Sequence, residues 1–114
     1  YGERRVRVER QERGSEGFTI VKSAAVAMLD ASKLDFPLTM RPWCEGDRFS
    51  PFGMKGSKLV SDYLTDRKKN YFQRRGQLVV EDARGEIIWL VGERTSEKCR
   101  VGEKTSAIIV VKEE

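Results

Sequence analysis

Residues 41–58 read RPWCEGDRFSPFGMKGSK and run into SKLVSDYLTDRKK, and this junction limits the fold more than any other stretch. Gly46-Asp47 is a tight-turn signal, because Gly accepts positive φ and Asp can bond its own backbone. Pro51, Gly53 and Gly56 then forbid regular structure up to Ser57. From there the apolar residues fall at Leu59, Val60, Tyr63 and Leu64. That i, i+1, i+4, i+5 pattern makes one stripe on a helix and cannot be one face of a strand. The spacing predicts a helix over 57–68, with Ser57 as its N-cap and Lys58 and Asp62 paired across one turn. Arg67, Lys68 and Lys69 would close it, where cations complement the helix dipole. A cation-bearing glycine loop would thus feed a helix N-terminus, which favours anions such as phosphate.

Elsewhere the pattern is that of strands. FTIV (18–21), AVAMLDA (25–31) and a run from Phe36-Pro37 through Leu38, Met40 and Pro42-Trp43 each read as one, with a turn at 30–33. QLVVED and EIIWLVG flank Asp82-Ala83-Arg84-Gly85, a hairpin signal. Ile87 to Val91 is continuously apolar, which suits a strand buried on both sides. AIIVV (107–111) closes the chain as a core strand. Residues 1–16 read equally well as a charged edge strand or a linker, before a domain over 17–114. The structure of Tyr71-Phe72 and Arg74-Arg75 stays open. Six or seven strands to one clear helix predict a mainly β, sandwich- or barrel-like single domain. A chain of 114 residues is long enough for one core. Beginning at Tyr1, it is expected to be a piece of a longer protein.

Charge is unevenly placed. Residues 41–75 hold nine Lys or Arg against four acids, a local +5, while the whole chain is +4. Such a field is the footprint of a polyanionic partner, although charge alone leaves a merely solvated face equally open. The phosphate candidates are Arg41, Arg48, Lys55, Lys58, Arg74 and Arg75, with Gly46, Gly53 and Gly56 shaping the loop. Phe52, Tyr71 and Phe72 lie among the cations, where either core packing or base stacking would suit them. Trp43, Phe49, Tyr63, Trp89 and Phe18 are expected in the core.

Catalysis is not expected. The chain has no His, which removes Ser/His and Cys/His pairs. Cys44 and Cys99 have no metal-ligand spacing; they read as two reduced thiols, with a disulfide between them left open by a sequence that does not give their separation. Gly56-Ser57-Lys58 reverses the order of a P-loop. Gly53-Met54-Lys55-Gly56 fits the GxxG of KH domains, but Ser50-Pro51-Phe52 argues against the helix that should precede it. No apolar run approaches the roughly 18 residues of a membrane span.

GDRFSPFGMKGSK with LVSDYLTDRK, EIIWLVGERTSEKCRV (86–101) and the closing AIIVV resemble the C-terminal domain of bacterial tRNA(Ile)-lysidine synthetase, over about residues 25–112. After Asp66-Arg67-Lys68 that family often has an apolar residue and a proline, where this chain has Lys69 and Asn70; the course of 69–76 is therefore open. The resemblance implies a β-sandwich of unusual topology, shared with a domain of the phenylalanyl-tRNA synthetase β subunit. It implies a cytoplasmic ligase that joins lysine to the wobble cytidine of a minor isoleucine tRNA. ATP and lysine would be used by an N-terminal catalytic domain with an SGGxDS signature, absent from these residues. This domain, itself without cofactor or metal, would grip tRNA(Ile) around the acceptor stem. The alternative is a structural module that braces the synthetase or mediates its dimerisation.

Overall fold

The computed structural model describes residues 2–14, 17–21 and 23–114. In chain order its regular elements are β1 (Val6–Glu12), β2 (Val26–Asp30), β3 (Thr39–Pro42), β4 (Arg48–Phe49), β5 (Lys58–Leu59), α1 (Val60–Asp66), α2 (Tyr71–Arg75), β6 (Leu78–Glu81), β7 (Ile87–Leu90), β8 (Arg94–Thr95) and β9 (Ala107–Glu113). Short 3-10 helices follow β2 and β8. All the strand pairs are antiparallel, in sheets ordered β1-β9-β2, β3-β6-β7-β8 and β4-β5.

The β3-β6-β7-β8 sheet lies between two apolar clusters, because its central strands carry β-branched and aromatic residues on both faces. Val80 and Trp89 are register partners on one face, and they pack with Ala27 and Leu29 of β2 and Ile109 and Val111 of β9. Val79 and Leu90, the next register pair, face the other way. They pack with Phe49, Val60, Tyr63 and Leu64, where Phe49 and Tyr63 meet edge to face at 5.4 Å. Each large apolar side chain buried this way is worth about 1.5–3 kcal/mol. Two-sided burial is what the unbroken Ile87–Val91 run demanded, and all five residues are buried. The β6–β7 hairpin and the closing core strand are likewise as the sequence foretells.

Three expectations are corrected, and one stretch left open is resolved. The helix does not span 57–68 and Ser57 does not cap it. Lys58 and Leu59 pair with Phe49 and Arg48 as a second short strand, so α1 starts at Val60 after an extended Leu59 with no side-chain cap. The Val60 N–H, which would have faced an anion, donates to the Asp47 carbonyl at 2.9 Å. Lys58 consequently pairs with Asp66 instead of Asp62. FTIV makes no strand: residues 18–21 lie outside the ladders, with Ile20 and Val21 exposed. The strand foreseen from Phe36-Pro37 begins only at Thr39. Finally, the open 69–76 connection is a second helix, α2. Asn70 accepts from the Gln73 N–H while the Gln73 side chain accepts from the Asn70 N–H, a complete capping box.

Candidate nucleic-acid interface

The loop over 50–57 joins β4 to β5 and is pinned to the end of β8 and the segment after it. Phe52 N–H donates to the Thr95 carbonyl at 2.9 Å, and Glu97 N–H to the Ser50 carbonyl at 2.7 Å. Gly53 N–H donates to Glu97 Oε1 at 2.8 Å. That bond first, and the Arg100 cation after it, hold the Glu97 carboxyl below its usual range. Gly53 and Gly56 sit at φ +82° and +76°, and Gly46 in the preceding turn at +92°, a region open to glycine and costly to most residues. The three glycines therefore set backbone shape, and the loop carries Lys55 outward with no ion pair or hydrogen bond of its own among the described residues. Loop and pin enclose an open groove of about 530 Å³, with Lys55 on one wall and Lys98 and Arg100 on the other. The Arg100 guanidinium lies 4.9 Å from the Phe52 ring centroid.

The remaining candidate cations separate into two groups. Arg41 is structural: Nη1 and Nη2 grip the Asp47 carboxylate at 2.9 and 3.1 Å, and Nε reaches Glu81 at 3.3 Å. These partners, the Asp47 hydrogen bond foremost, raise its pKa further despite burial. Lys58 is tied to Asp66. Arg67 and Lys69 share Glu93, at 2.8 and 3.0 Å; burial opposes ionisation of that carboxyl, but the two cations outweigh it and its pKa is lowered. By contrast Arg48 donates only to Ser57, at 3.1 Å from Nε to Oγ. Arg74 donates to Thr65 Oγ1 at 2.8 Å and Arg75 to Tyr71 Oη at 3.3 Å. None of these three has a carboxylate partner among the described residues.

Arg74 and Arg75 belong to a second groove, of about 360 Å³, formed where α2 meets the 43–47 turn. Trp43 Nε1 donates to the Arg74 carbonyl at 2.6 Å, and each guanidinium lies over a ring: Arg74 at 5.7 Å from Trp43, Arg75 at 5.5 Å from Tyr71. Trp43 is half-buried against the second core cluster, whereas Phe52, Tyr71 and Phe72 are exposed. Sequence reasoning missed Lys98 and Arg100, because only the folding of 96–100 onto the glycine loop brings them there.

Among the described residues, the buried groups that could do acid, base or nucleophilic chemistry are engaged in the fold. The described residues hold no cluster of three metal-ligating side chains. Cys99 is buried, which pushes its thiol up to about 11. Buried Asp82 accepts from the N–H groups of Asp35, Arg84 and Glu86, and buried Asp30 from Ser32 and Thr105. Burial would raise both carboxyl pKa values, but these hydrogen bonds outweigh it and lower them.

No family model matches the chain. It is 48% identical over 96 residues to the tRNA(Ile)-lysidine synthase of Parabacteroides distasonis, covering 82% of this chain and 21% of the relative. The protein of the same name from Bacteroides thetaiotaomicron is 45% identical over 96 residues, covering 83% and 22%. That from Bacillus subtilis is 43% identical over 72 residues, covering 63% and 15%. The chain thus spans about a fifth of the length of the curated relatives it matches. Among solved structures, a crystal structure of the TILS C-terminal domain superposes with TM-score 0.80 at 21% identity, over 97% of this chain and 83% of that one. An N-terminal fragment of the phenylalanyl-tRNA synthetase β subunit from Pyrococcus horikoshii superposes with TM-score 0.68 at 17% identity, over 77% and 27%. These two likenesses establish a shared fold.

Proposed function

The chain belongs to the tRNA(Ile)-lysidine synthase family, as a homologue of about a fifth of those proteins with the fold of the C-terminal domain, and from that premise we propose that it is a non-catalytic tRNA-gripping domain. Its task is to hold tRNA(Ile), around the acceptor stem, for a ligase site elsewhere in the parent protein. ATP and lysine are handled at that site, in the cytoplasm, and this domain needs neither. The observation that carries the reading is the glycine loop, where exposed backbone at Gly53 and Gly56 flanks an unpaired Lys55. Arg48 at its base, and Arg74 and Arg75 on α2, are also without carboxylate partners. Small residues let a backbone approach phosphates closely, and cations displace the counterions of the nucleic acid. The histidine-free composition and the structural engagement of Asp30 and Asp82 support the non-catalytic half of the reading.

Isoleucine tRNA is titrated onto the 114-residue chain at several salt concentrations, with Lys55→Ala and Arg48→Ala beside the parent. Each true phosphate contact removed should flatten the slope of log K against log salt by about one. If both variants keep affinity and slope, the cations are a solvated face. The bracing or dimerising module would then be the better reading, and exposed Ile20 and Val21 already favour it as a second candidate.

A further inference from the structure

We propose that the groove between α2 and the 43–47 turn, together with the exposed Phe72 ring that stands against Tyr71 at its edge, is a stacking site for an unpaired nucleotide, separate from the phosphate-gripping loop. It deepens the tRNA-binding reading, and rests on it for the identity of the partner. Phe72 at 80% and Tyr71 at 65% are the most exposed of the large apolar side chains among the described residues. They occupy the first two positions of α2, a helix of only five residues whose own start is fixed by the Asn70–Gln73 box. A helix this short gains nothing from presenting two rings to water. The rings stand edge to face at 5.6 Å, so each keeps open area.

Charge complementarity identifies the occupant. A protein-binding aromatic patch gains from apolar surroundings, but here Arg75 lies over the Tyr71 ring and Arg74 over Trp43 in the same groove, neither held by a carboxylate. Aromatic faces beside unpaired cations are how sequence-tolerant single-strand sites are built: bases stack and cations follow the backbone. Duplex RNA keeps its bases stacked on each other, so the rings can serve only an unpaired or splayed nucleotide. Glu45 lines the same groove and forms no ion pair among the described residues. A carboxylate there repels phosphate but accepts from an exocyclic amino group, as at cytosine N4. The site therefore takes an amino-bearing base in preference to uracil.

Trp43 supplies the readout, since Trp89, the other tryptophan, is 1% exposed and shielded from added solutes. Fluorescence of the 114-residue chain is followed while adding a cytidine octamer, a uridine octamer, or a blunt RNA hairpin. The cytidine octamer should quench Trp43 and bind more tightly than the uridine octamer. Phe72→Ala and Tyr71→Ala should each weaken it on the order of tenfold, whereas Tyr71→Phe should retain binding. Both side chains are exposed, and an unchanged melting curve confirms that each variant folds. Glu45→Gln should narrow the gap between the two octamers. Lys55→Ala should weaken the hairpin and leave the octamer nearly untouched. If the hairpin binds with the expected salt dependence and the octamer does not, or binds Phe72→Ala equally well, this inference falls and the phosphate reading stands. If the octamer binds in a Phe72-dependent way and the hairpin does not bind, the stacking site stands and the phosphate-gripping loop falls. A concentration-dependent dimer dissolved by Phe72→Ala would make the face a protein interface and overturn the inference.

Discussion

Replacing Gly53 or Gly56 by alanine separates backbone strain from every steric effect. Both residues have positive φ, and a Cβ built at either meets nothing within 4 Å. The cost is therefore conformational alone, about 1–2 kcal/mol for an L-residue in the left-handed region. The stiffer unfolded chain returns about 0.4–1 kcal/mol, which leaves a net loss of about 1 kcal/mol at each position. For a domain of this size that lowers the melting temperature by about 4 °C. Gly76 is the internal control. It ends α2 at φ −87°, where alanine is unstrained, and its added Cβ would lie in ordinary contact, 3.5 Å from the Phe72 carbonyl. Gly76→Ala should raise stability by the unfolded-chain term. Gly53→Asn should lose less than Gly53→Ala, since asparagine visits the left-handed region more readily. Thermal melts by circular dichroism of the four variants decide it. Similar shifts of the same sign for Gly53→Ala and Gly76→Ala would refute the reasoning, because neither added Cβ clashes and the deciding difference is φ.

Arg41→Met should cost about 2 kcal/mol, by stranding the half-buried Asp47 and Glu81 carboxylates, yet leave the salt slope of RNA binding unchanged; Lys55→Ala should do the opposite. Asp30, Asp82 and Glu93 have lowered pKa values in the fold. Their contribution is complete above the ordinary carboxylate range and is lost as pH falls through the lowered values. Melting temperature should therefore drop on the acid side, and Asp82→Asn should flatten that drop while lowering stability at neutral pH. A thiol reagent should titrate exposed Cys44 at once and reach buried Cys99 only on unfolding; two fast thiols in the native chain would contradict its burial.

The parts legible in the sequence were those whose signal is local. The β6–β7 hairpin follows from turn residues between two apolar runs, and the two-sided burial of Ile87–Val91 from a run with no polar break. The glycines of the 46–56 region could be assigned a backbone role because few other residues satisfy positive φ. The start of α1 was not legible. Leu59 and Val60 fit a helical stripe, yet Leu59 ends a strand whose existence depends on pairing with Arg48 across the loop. FTIV has strand composition but gained no ladder partner among the described residues, and a strand is decided by its neighbour as much as by its own residues. The fate of the cations was least legible, since Glu81 and Glu93 lie far from Arg41 and Arg67 along the chain.

These ion pairs limit how strongly the region can respond to salt. Residues 41–75 carry a formal +5 in sequence, but Glu81 and Glu93, outside that window, are ion-paired to it in space, so the local excess falls to +3. Arg41, Lys58, Arg67 and Lys69 are each committed to a carboxylate. A cation so held has already lost its counterion to the protein and releases little on meeting a phosphate. Arg48, Lys55, Lys68, Arg74 and Arg75 remain. Even if all five touched phosphate at once, they could account for a slope of log K against log salt no steeper than about −5. Because Arg74 and Arg75 flank rings away from the glycine loop, a blunt duplex gripped by the loop alone should show a slope nearer −2 to −3, by the same rule of about one per contact. The measurement is a salt series on the blunt hairpin, repeated with Arg74→Ala and Arg75→Ala together. A slope well beyond −5 that survives in the double variant would mean that paired cations, of 41–75 or Lys98 and Arg100 on the facing wall of the loop groove, open to meet RNA, and the division into structural and recognition cations would be wrong.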